Sequence, residues 1–267
     1  MKQLLSSYGL AALAELVRHR SLYAFDFDGT LAPIVWRHGD ARIGTALRSR
    51  LARLAAQVPV AVISGRSLGD LRSRIPEEIV HGIGNHGNEG AAQPEAEAMR
   101  AVCRDWIGQL RQLFADSAAA AGVELEDKGV TVSLHYRQAR DREQASAWLA
   151  RAAAELQPPP RIIGGKLVLN LLPPGARTKF EALWELARSE EAERVLFVGD
   201  DDTDEIVFAQ APADWVTVRV ELDSSSRARY FLQKQSEVTI LIDHLLARLP
   251  AAAGRAASHQ SRSRAQH

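Results

Sequence analysis

Four short apolar runs along the chain each end at a glycine or at acidic residues. They are residues 22–26, 58–64, 78–84 and 194–199. Runs of this length and composition are typical of strands buried on both faces of a parallel sheet. Helical periodicity lies between them, notably at 46–57, and an amphipathic helix precedes the first run. Strands that alternate with helices predict an α/β fold with a doubly wound parallel sheet.

The middle of the chain has a different pattern. Residues 99–114 place their apolar side chains on one helical face. Two alternating segments around Lys128 predict a hairpin, a second helix is predicted at 141–156, and residues 161–175 predict a further pair of strands. This region therefore has the composition of a small α+β unit.

These patterns divide the chain into three parts. We expect a catalytic core formed by residues 1–95 and 173–250, and an inserted α/β cap domain at 96–172. The last segment, 251–267, is small, polar and basic without an apolar period, and we expect a disordered tail there.

Composition and charge exclude several functional classes. Lys plus Arg and Asp plus Glu both number 33, so no global basic field attracts nucleic acid or anionic lipid. No segment approaches the roughly 18 apolar residues of a membrane span. The single cysteine, Cys103, excludes an internal disulfide framework and a cysteine-rich zinc site, and it favours a reducing compartment. We expect a cytoplasmic monomer that acts on a small molecule.

Two aspartates lie at the end of the first apolar run. Asp26 and Asp28 flank Phe27, and Gly29 then turns the chain. Paired carboxylates at such a position favour a divalent cation, and hard oxygen ligands together with a substrate phosphate suit Mg²⁺. The alternative is an ordinary aspartate at a turn.

A second acidic cluster follows the strand predicted at 194–199. It comprises Asp200, Asp201, Asp202, Asp204 and Glu205. Acidic residues complement the dipole in the first turn of a helix, and Thr203 or Asp202 is expected to act as the N-cap. Capping accounts for one or two of these residues, so we expect the others to hold the cation.

Two further signals concern phosphate. Ser64 ends the apolar run at 58–64 and Arg66 follows it. The Ser64 hydroxyl and nearby backbone N–H groups can bind an anion there, although an ordinary turn has the same pattern. Lys179 lies at the start of a predicted helix, where the dipole disfavours a cation. It therefore has an anionic partner or points to solvent.

At four stretches the chain resembles the haloacid dehalogenase superfamily of phosphatases. The motifs are DFDGT at 26–30, SGR at 64–66, Lys179, and GDDDTDE at 199–205. Order and spacing match from residue 22 to about 245. Within the superfamily the chain is similar to the trehalose-6-phosphate phosphatases, through DFDGTLAPI, GNHGNE, EDKGVTVSLHYR, LPPGARTKF and GDDDTDE. The resemblance implies a Rossmann-like core with an α+β cap, and Mg²⁺-dependent hydrolysis of trehalose 6-phosphate in trehalose biosynthesis.

The resemblance also implies roles for residues of the core. Asp26 is expected to attack phosphorus and form an aspartyl-phosphate, and Asp28 to protonate the leaving sugar oxygen and then activate water. Asp26, the carbonyl of Asp28 and Asp200 are expected to bind Mg²⁺, with Asp204 orienting its waters. Ser64 and Lys179 are expected to bind the phosphoryl oxygens.

Substrate recognition is expected to come from the cap and from the loops that face it. The resemblance implies that the following residues bind substrate: Thr30, Arg66, Asn85, His86, Glu89, Glu126, Lys128, Arg137 and Asn170. Glu126 and Lys128 alternatively form a solvated surface pair, and His135 and Tyr136 alternatively only pack against the sheet.

The chain departs from the pattern of this family at two positions. Asn170 stands where the family usually has a glutamate, and an amide both donates and accepts hydrogen bonds. Phe180 stands where it usually has a glycine, and is expected to add bulk near the phosphate. Three alternatives therefore stay open: a phosphatase for mannosyl-3-phosphoglycerate or sucrose 6-phosphate, a non-catalytic sugar-phosphate sensor, and a phosphotransferase or mutase.

Overall fold

A computed structural model of the chain describes residues 1–36, 38–90, 96–115, 121–165 and 167–250. The segment predicted as a disordered tail, 251–267, lies outside these residues. Among the residues described, no helix is both long and apolar enough to cross a bilayer.

The described residues contain eleven strands and eight α-helices. The strands are β1 (Lys2–Gln3), β2 (Ser21–Phe25), β3 (Val60–Ile63), β4 (His81–Ile83), β5 (Glu124–Asp127), β6 (Val132–His135), β7 (Arg161–Gly165), β8 (Val168–Leu172), β9 (Arg194–Gly199), β10 (Val216–Val220) and β11 (Tyr230–Leu232). The helices are α1 (Ser7–Val17), α2 (Thr45–Ala55), α3 (Leu68–Arg72), α4 (Ala96–Ala115), α5 (Arg142–Glu155), α6 (Lys179–Ser189), α7 (Asp202–Gln210) and α8 (Glu237–Leu246). Every strand and helix predicted above is present.

Seven strands form one parallel sheet in the order β1-β11-β10-β9-β2-β3-β4. The four apolar runs became β2, β3, β4 and β9, and β2 lies between β9 and β3. The sequence analysis did not identify β1, β10 or β11. The first and last of these have only two and three residues, too few to show a period.

Helices cover both faces of this sheet. Successive side chains of β2 point to opposite faces, so Tyr23 and Phe25 pack in one apolar cluster and Leu22 and Ala24 in another. The first cluster includes buried side chains of α1, α2 and α8, and the second includes those of α6 and α7. The doubly wound architecture predicted from the sequence is therefore confirmed.

The second sheet is antiparallel, with the order β5-β6-β8-β7. One face packs on α4 and α5, with Trp106 and Leu149 against Val132 and Leu134. Because side chains alternate along a strand, the other face carries polar groups. These are Glu126, Ser133, His135 and Asn170. The sheet lies within the segment predicted as the cap, and the exact domain bounds stay a prediction.

Candidate active site

Three adjacent strands end at the same edge of the parallel sheet. Asp26 follows β2, Ser64 follows β3 and Asp200 follows β9. Asp26 N donates to Val198 O at 2.8 Å, which fixes the start of its loop to the neighbouring strand. Asp26, Asp200 and Asp204 each offer a carboxylate oxygen, and these oxygens lie within 4.8 Å of one another. The two acidic clusters, far apart along the chain, therefore meet.

Two glycines permit this approach. Gly29 has φ of 83°, and a Cβ there would lie 2.0 Å from Asp200 Oδ2. A Cβ on Gly199 would lie 2.3 Å from Asp204 Cγ. Any side chain at either position would displace a carboxylate of the site.

Lys179 lies between two of the carboxylates. Its Nζ donates to Asp26 Oδ1 at 2.7 Å and to Asp204 Oδ1 at 2.8 Å, and all three side chains are buried. Thr178 is the N-cap of α6 and forms a capping box with Glu181, so the helix start holds Lys179 in place. The anionic partner predicted for this lysine is therefore present.

Burial and neighbouring charges shift the titration of this group. Burial raises the pKa of Asp26 well above its usual range, and Lys179 only partly opposes this. Burial likewise raises the pKa of Asp204 to about 6, against the charge of Lys179. Burial lowers the pKa of Lys179, but Asp204 and Asp26 outweigh it and hold that pKa well above its usual range. One ammonium thus serves two buried carboxylates, and a further cation would relieve their repulsion.

The second acidic cluster also caps α7. The N-cap is Asp201, whose Oδ1 accepts from Thr203 N at 2.8 Å and from Asp204 N at 3.1 Å. The prediction of Thr203 or Asp202 as the N-cap is wrong, because Asp201 is the last residue with extended backbone. Asp204 Oδ2 in turn accepts from the backbone N of Asp200 and Asp201. With Lys179 on its other oxygen, Asp204 is held by three donors.

The residues of the first two motifs also contact each other. Arg66 donates to both carboxylate oxygens of Asp28, although the resemblance implied that it binds substrate. Ser64 is buried, and its Oγ accepts from Arg66 N at 3.2 Å. Thr30 is also buried, and its hydroxyl has no hydrogen-bond partner among the described residues.

Two residues predicted to bind substrate connect parts of the fold. Asn85 Nδ2 donates to Lys128 O at 2.9 Å and its Oδ1 accepts from Thr131, which ties the core loop to the β5-β6 hairpin. Glu89 Oε2 accepts from Leu68 N at 2.5 Å, at the start of α3. Substrate contact by either residue stays a prediction.

The cap hairpin reaches the core through Lys128. Its Nζ donates to Gly65 O at 2.9 Å and lies 3.5 Å from Glu126 Oε2, which also contacts His135 Nε2 at 2.8 Å. The side chain of Lys128 is only 11% exposed, so the alternative of a solvated surface pair is wrong for it. Arg137 is half-buried, and its side chain makes no hydrogen bond within the part of the chain that the structure describes.

The two departures from the family pattern have different surroundings. Asn170 is buried on the polar face of the cap sheet, where its Oδ1 accepts from Ser133 Oγ at 2.7 Å. The ring of Phe180 packs against Trp184 and Trp215, with centroids 5.9 Å away in both cases. The expectation that Phe180 adds bulk near the phosphate is wrong. Consecutive residues of a helix point about 100° apart, so Phe180 diverges from Lys179.

His86 lies where core and cap meet. Its backbone has φ of 56°, a region that few residues other than glycine adopt, and its ring is buried against Gly65. Neither ring nitrogen makes a regular hydrogen bond within the described residues. Burial, together with the charges of Lys128 and Lys179, lowers the pKa of His86 to about 3, and Asp201 and Asn170 only partly oppose this. The imidazole is therefore neutral at physiological pH.

This shift predicts that His86 makes the fold sensitive to mild acid. In the unfolded chain a histidine takes up a proton below about pH 6.5, whereas folded His86 does not until the pH approaches 3. The contribution of neutral His86 to the free energy of unfolding is therefore fully present above about pH 6.5. Below that pH the free energy of unfolding falls by up to about 1.4 kcal/mol per pH unit. We expect His86→Asn, which tolerates the same backbone, to lose less stability than the wild type between about pH 7.5 and about pH 5.5 in urea unfolding. Equal losses in the two proteins would contradict this assignment.

Residues 24–236 match the family model described as Trehalose-phosphatase. The chain belongs to the trehalose-phosphatase family. The resemblance and the fold class stated from the motifs are thereby confirmed.

Relatives of this trehalose-phosphatase family member include longer chains. A trehalose-phosphate phosphatase of Mycobacterium bovis (strain BCG) is 32% identical over 267 residues, which covers 93% of this chain and 67% of the relative. That of Mycolicibacterium paratuberculosis is 33% identical over 250 residues, covering 82% and 63%. A protein of Mycobacterium tuberculosis named as an uncharacterized glycosyl hydrolase is 34% identical over 204 residues, covering 72% of this chain but 15% of that one. This family member thus spans only part of such relatives.

Solved structures share the fold of this trehalose-phosphatase family member. The trehalose-6-phosphate phosphatase C-terminal domain of C. albicans has a TM-score of 0.74 at 21% identity, covering 91% of this chain and 98% of that one. The IMP-nucleotidase of Plasmodium falciparum has a TM-score of 0.58 at 14% identity, covering 90% and 72%. At these identities the likeness is one of fold.

Proposed function

We propose that this chain is a Mg²⁺-dependent phosphatase that hydrolyses trehalose 6-phosphate to trehalose and phosphate through an aspartyl-phosphate. The observation that carries the proposal is the contact of Lys179 with Asp26, beside Asp200, in a member of this family. A buried nucleophile, an ammonium for the phosphoryl oxygens and a cation-binding carboxylate then share one sheet edge. We also propose a monomer, since one chain supplies all of these groups, and a cytoplasmic location, since the single cysteine favours a reducing compartment.

The donor set suits Mg²⁺. The cluster offers carboxylate oxygens, the hard ligands that this ion prefers, and the repulsion among them favours a cation. A cavity of about 620 Å³ borders Asp200 and Gly29, so an ion and its waters can reach the edge. Asp26, Asp200 and the carbonyl of Asp28 would hold the ion, and Asp204 would act indirectly, because both its oxygens already accept hydrogen bonds. Bound Mg²⁺ supplies positive charge to the phosphoryl oxygens.

The residues of the chain account for both halves of hydrolysis. An oxygen of Asp26 attacks phosphorus, the bond from phosphorus to the sugar oxygen breaks, and Asp28 gives that oxygen a proton. Asp28 then takes a proton from water, which attacks phosphorus and breaks its bond to Asp26. Lys179 and Ser64 bind the phosphoryl oxygens as charge spreads over them in the transition state.

The polar groups of the cap favour a sugar phosphate as the substrate. The polar face of the cap places Glu126 on β5 and Asn170 on β8, either side of Ser133 on β6, and Lys128 extends from the hairpin to the core loop. Carboxylate, amide and ammonium groups suit the many hydroxyls of a disaccharide. The relatives named as trehalose-phosphate phosphatases support trehalose 6-phosphate in particular. We assign Arg137 to the same surface as a prediction.

A phosphate-release screen tests the proposal. The purified chain is incubated with trehalose 6-phosphate, sucrose 6-phosphate, mannosyl-3-phosphoglycerate and glucose 6-phosphate, each with Mg²⁺ and with EDTA. We expect release with Mg²⁺ only, and a kcat/KM for trehalose 6-phosphate at least about tenfold above the others, which corresponds to about 1.4 kcal/mol of discrimination.

Four outcomes would count against parts of the proposal. Equal release from many sugar phosphates would overturn the substrate assignment. Preference for another disaccharide phosphate would show a different specificity, which we would attribute to a departure from the family pattern such as Asn170. Equal activity in EDTA would overturn the metal requirement. Binding without release from any ester would identify a sensor.

A further inference from the structure

Arg66 makes a two-point contact with Asp28. Its Nε donates to Asp28 Oδ2 at 2.7 Å and its Nη2 to Asp28 Oδ1 at 2.6 Å. The contact joins the loops that follow β2 and β3, which are neighbours in the sheet. Two parallel N–H···O bonds fix the plane of a carboxylate as well as its position.

The guanidinium of Arg66 is itself held. Its Nη1 donates to Asp70 Oδ2 at 2.8 Å, and its Cζ lies 5.2 Å from the centroid of the Phe27 ring. Asp70 also accepts two hydrogen bonds from Arg74, at 2.8 and 2.6 Å. Arg74 donates to the carbonyl of Ala41 at 2.8 Å, so the network ends on the backbone of the core. The side chain of Arg66 is 5% exposed, and that of Asp28 is 30% exposed.

The charges in this network balance. Two guanidinium groups, of Arg66 and Arg74, face two carboxylates, of Asp28 and Asp70. Arg66 therefore presents less positive charge to a phosphate than an unpaired arginine would. Lys179 supplies that charge beside Asp26, with its Nζ 2.7 Å from Asp26 Oδ1. The geometry suits a residue that acts on Asp28 better than one that binds the substrate.

We propose that Arg66 is a positioning residue that holds the Asp28 carboxylate in the orientation needed for proton transfer to the leaving sugar oxygen. This revises the substrate-binding role that the family resemblance implies for Arg66. It rests on the proposed function, because Asp28 is the group that protonates the leaving group there. Without this two-point contact, Asp28 lies on a turn with its side chain partly exposed and can adopt other rotamers.

The choice of leaving group distinguishes a role of Arg66 in positioning Asp28 from a role in binding the substrate. A sugar alkoxide needs a proton as it departs, whereas p-nitrophenolate leaves without one. We expect Arg66→Met to lower kcat for trehalose 6-phosphate by about 100-fold, within the range of general acid catalysis, and kcat for p-nitrophenyl phosphate by less than about fivefold. The KM values are expected to stay within about threefold, because no ground-state contact with substrate is lost.

Matched variants extend the comparison. Arg66→Lys keeps the charge but not the two-point contact, and we expect an intermediate loss on the sugar ester only. Asp28→Asn is expected to show the same dependence on leaving group, and the Asp28→Asn/Arg66→Met double variant to lose no more than Asp28→Asn alone. Arg50→Met is the control for removal of an arginine. That side chain donates to Asp243 and to the carbonyl of Ala46, away from the network around Asp28, so both esters should be affected alike and weakly.

Several results would overturn the inference. Equal losses on the two esters for Arg66→Met, with a raised KM and weaker inhibition by inorganic phosphate, would show that Arg66 binds the phosphoryl group directly. Additive losses in the double variant would show that Arg66 acts independently of Asp28. Turnover of p-nitrophenyl phosphate by each variant reports that the site has folded.

The failure of the proposed function would look different. If the wild type hydrolyses glucose 6-phosphate but not trehalose 6-phosphate, the substrate assignment fails, and the Arg66 comparison is decided on glucose 6-phosphate, which also leaves as an alkoxide. A wild type that hydrolyses p-nitrophenyl phosphate but no sugar ester overturns both proposals, since Asp28 then transfers no proton to an alkoxide. Hydrolysis of no ester at all does the same.

Discussion

Asp26→Asn is expected to abolish phosphate release from every ester that the wild type hydrolyses, a loss of about 10⁴-fold or more in kcat. The amide that replaces the carboxylate is a poor nucleophile and cannot form the acyl phosphate. The change preserves shape, and the amide oxygen of the variant can still accept the hydrogen bond from Lys179 that Asp26 Oδ1 accepts at 2.7 Å. Malachite-green phosphate assays in Mg²⁺ measure the effect.

The same variant should keep or gain stability without metal. Burial raises the pKa of Asp26 well above its usual range, so folding makes the ionised form of this carboxyl less favourable than it is in the unfolded chain. A neutral amide removes that cost, so the urea midpoint of Asp26→Asn should equal or exceed that of the wild type in EDTA. Asp214→Asn, at an exposed position before β10, is the control for both assays. Retained phosphate release by Asp26→Asn would exclude Asp26 as the nucleophile.

Lys179→Met is expected to lower both stability and activity. It leaves Asp26 and Asp204 buried without their shared cation, and breaking a buried ion pair from one side costs about 3–5 kcal/mol. Loss of one group that stabilises charge in the transition state lowers kcat by a further factor of about 10²–10³. Urea unfolding in EDTA measures the first effect and phosphate release the second.

A second variant separates these two effects. Lys179→Met/Asp204→Asn removes one of the two stranded carboxylates, so it should recover part of the lost stability while activity stays low. Lys234→Met, at an exposed position, should change stability by less than about 0.5 kcal/mol. If Lys179→Met is as stable as the wild type, Lys179, Asp26 and Asp204 do not behave as one buried ion cluster.

The sequence predicted the elements that carry the site because each has a strong local pattern. Apolar runs such as 22–26 and 194–199 need only a few neighbouring residues to be recognised as buried strands. Parallel strands that end at one edge bring the residues after them together, which is why Asp26, Ser64 and Asp200 could be expected near one another. The short strands β1 and β11 lack such a pattern, and their place depends on pairing with strands far along the chain.

Local patterns did not decide which partner each charged side chain chooses. Arg66 has the sequence position of an anion-binding residue, yet its guanidinium group donates to Asp28, 38 positions earlier. The orientation of Phe180 depends on Trp215, and the burial of Lys128 depends on a carbonyl 63 positions away. A pattern of neighbouring residues contains no information on such pairs.

By itself, then, the sequence determined the doubly wound core, the antiparallel insert, the acidic strand ends and the family to which the chain belongs. Only the tertiary structure decided that Lys179 serves two carboxylates, that Asp201 caps α7, that Asn85 holds the cap hairpin and that Arg66 orients toward Asp28. The physical reason is one of range. Periodicity and turn chemistry act over a few residues, whereas a buried charge is satisfied by whichever opposite charge the packed fold brings within about 3 Å of it.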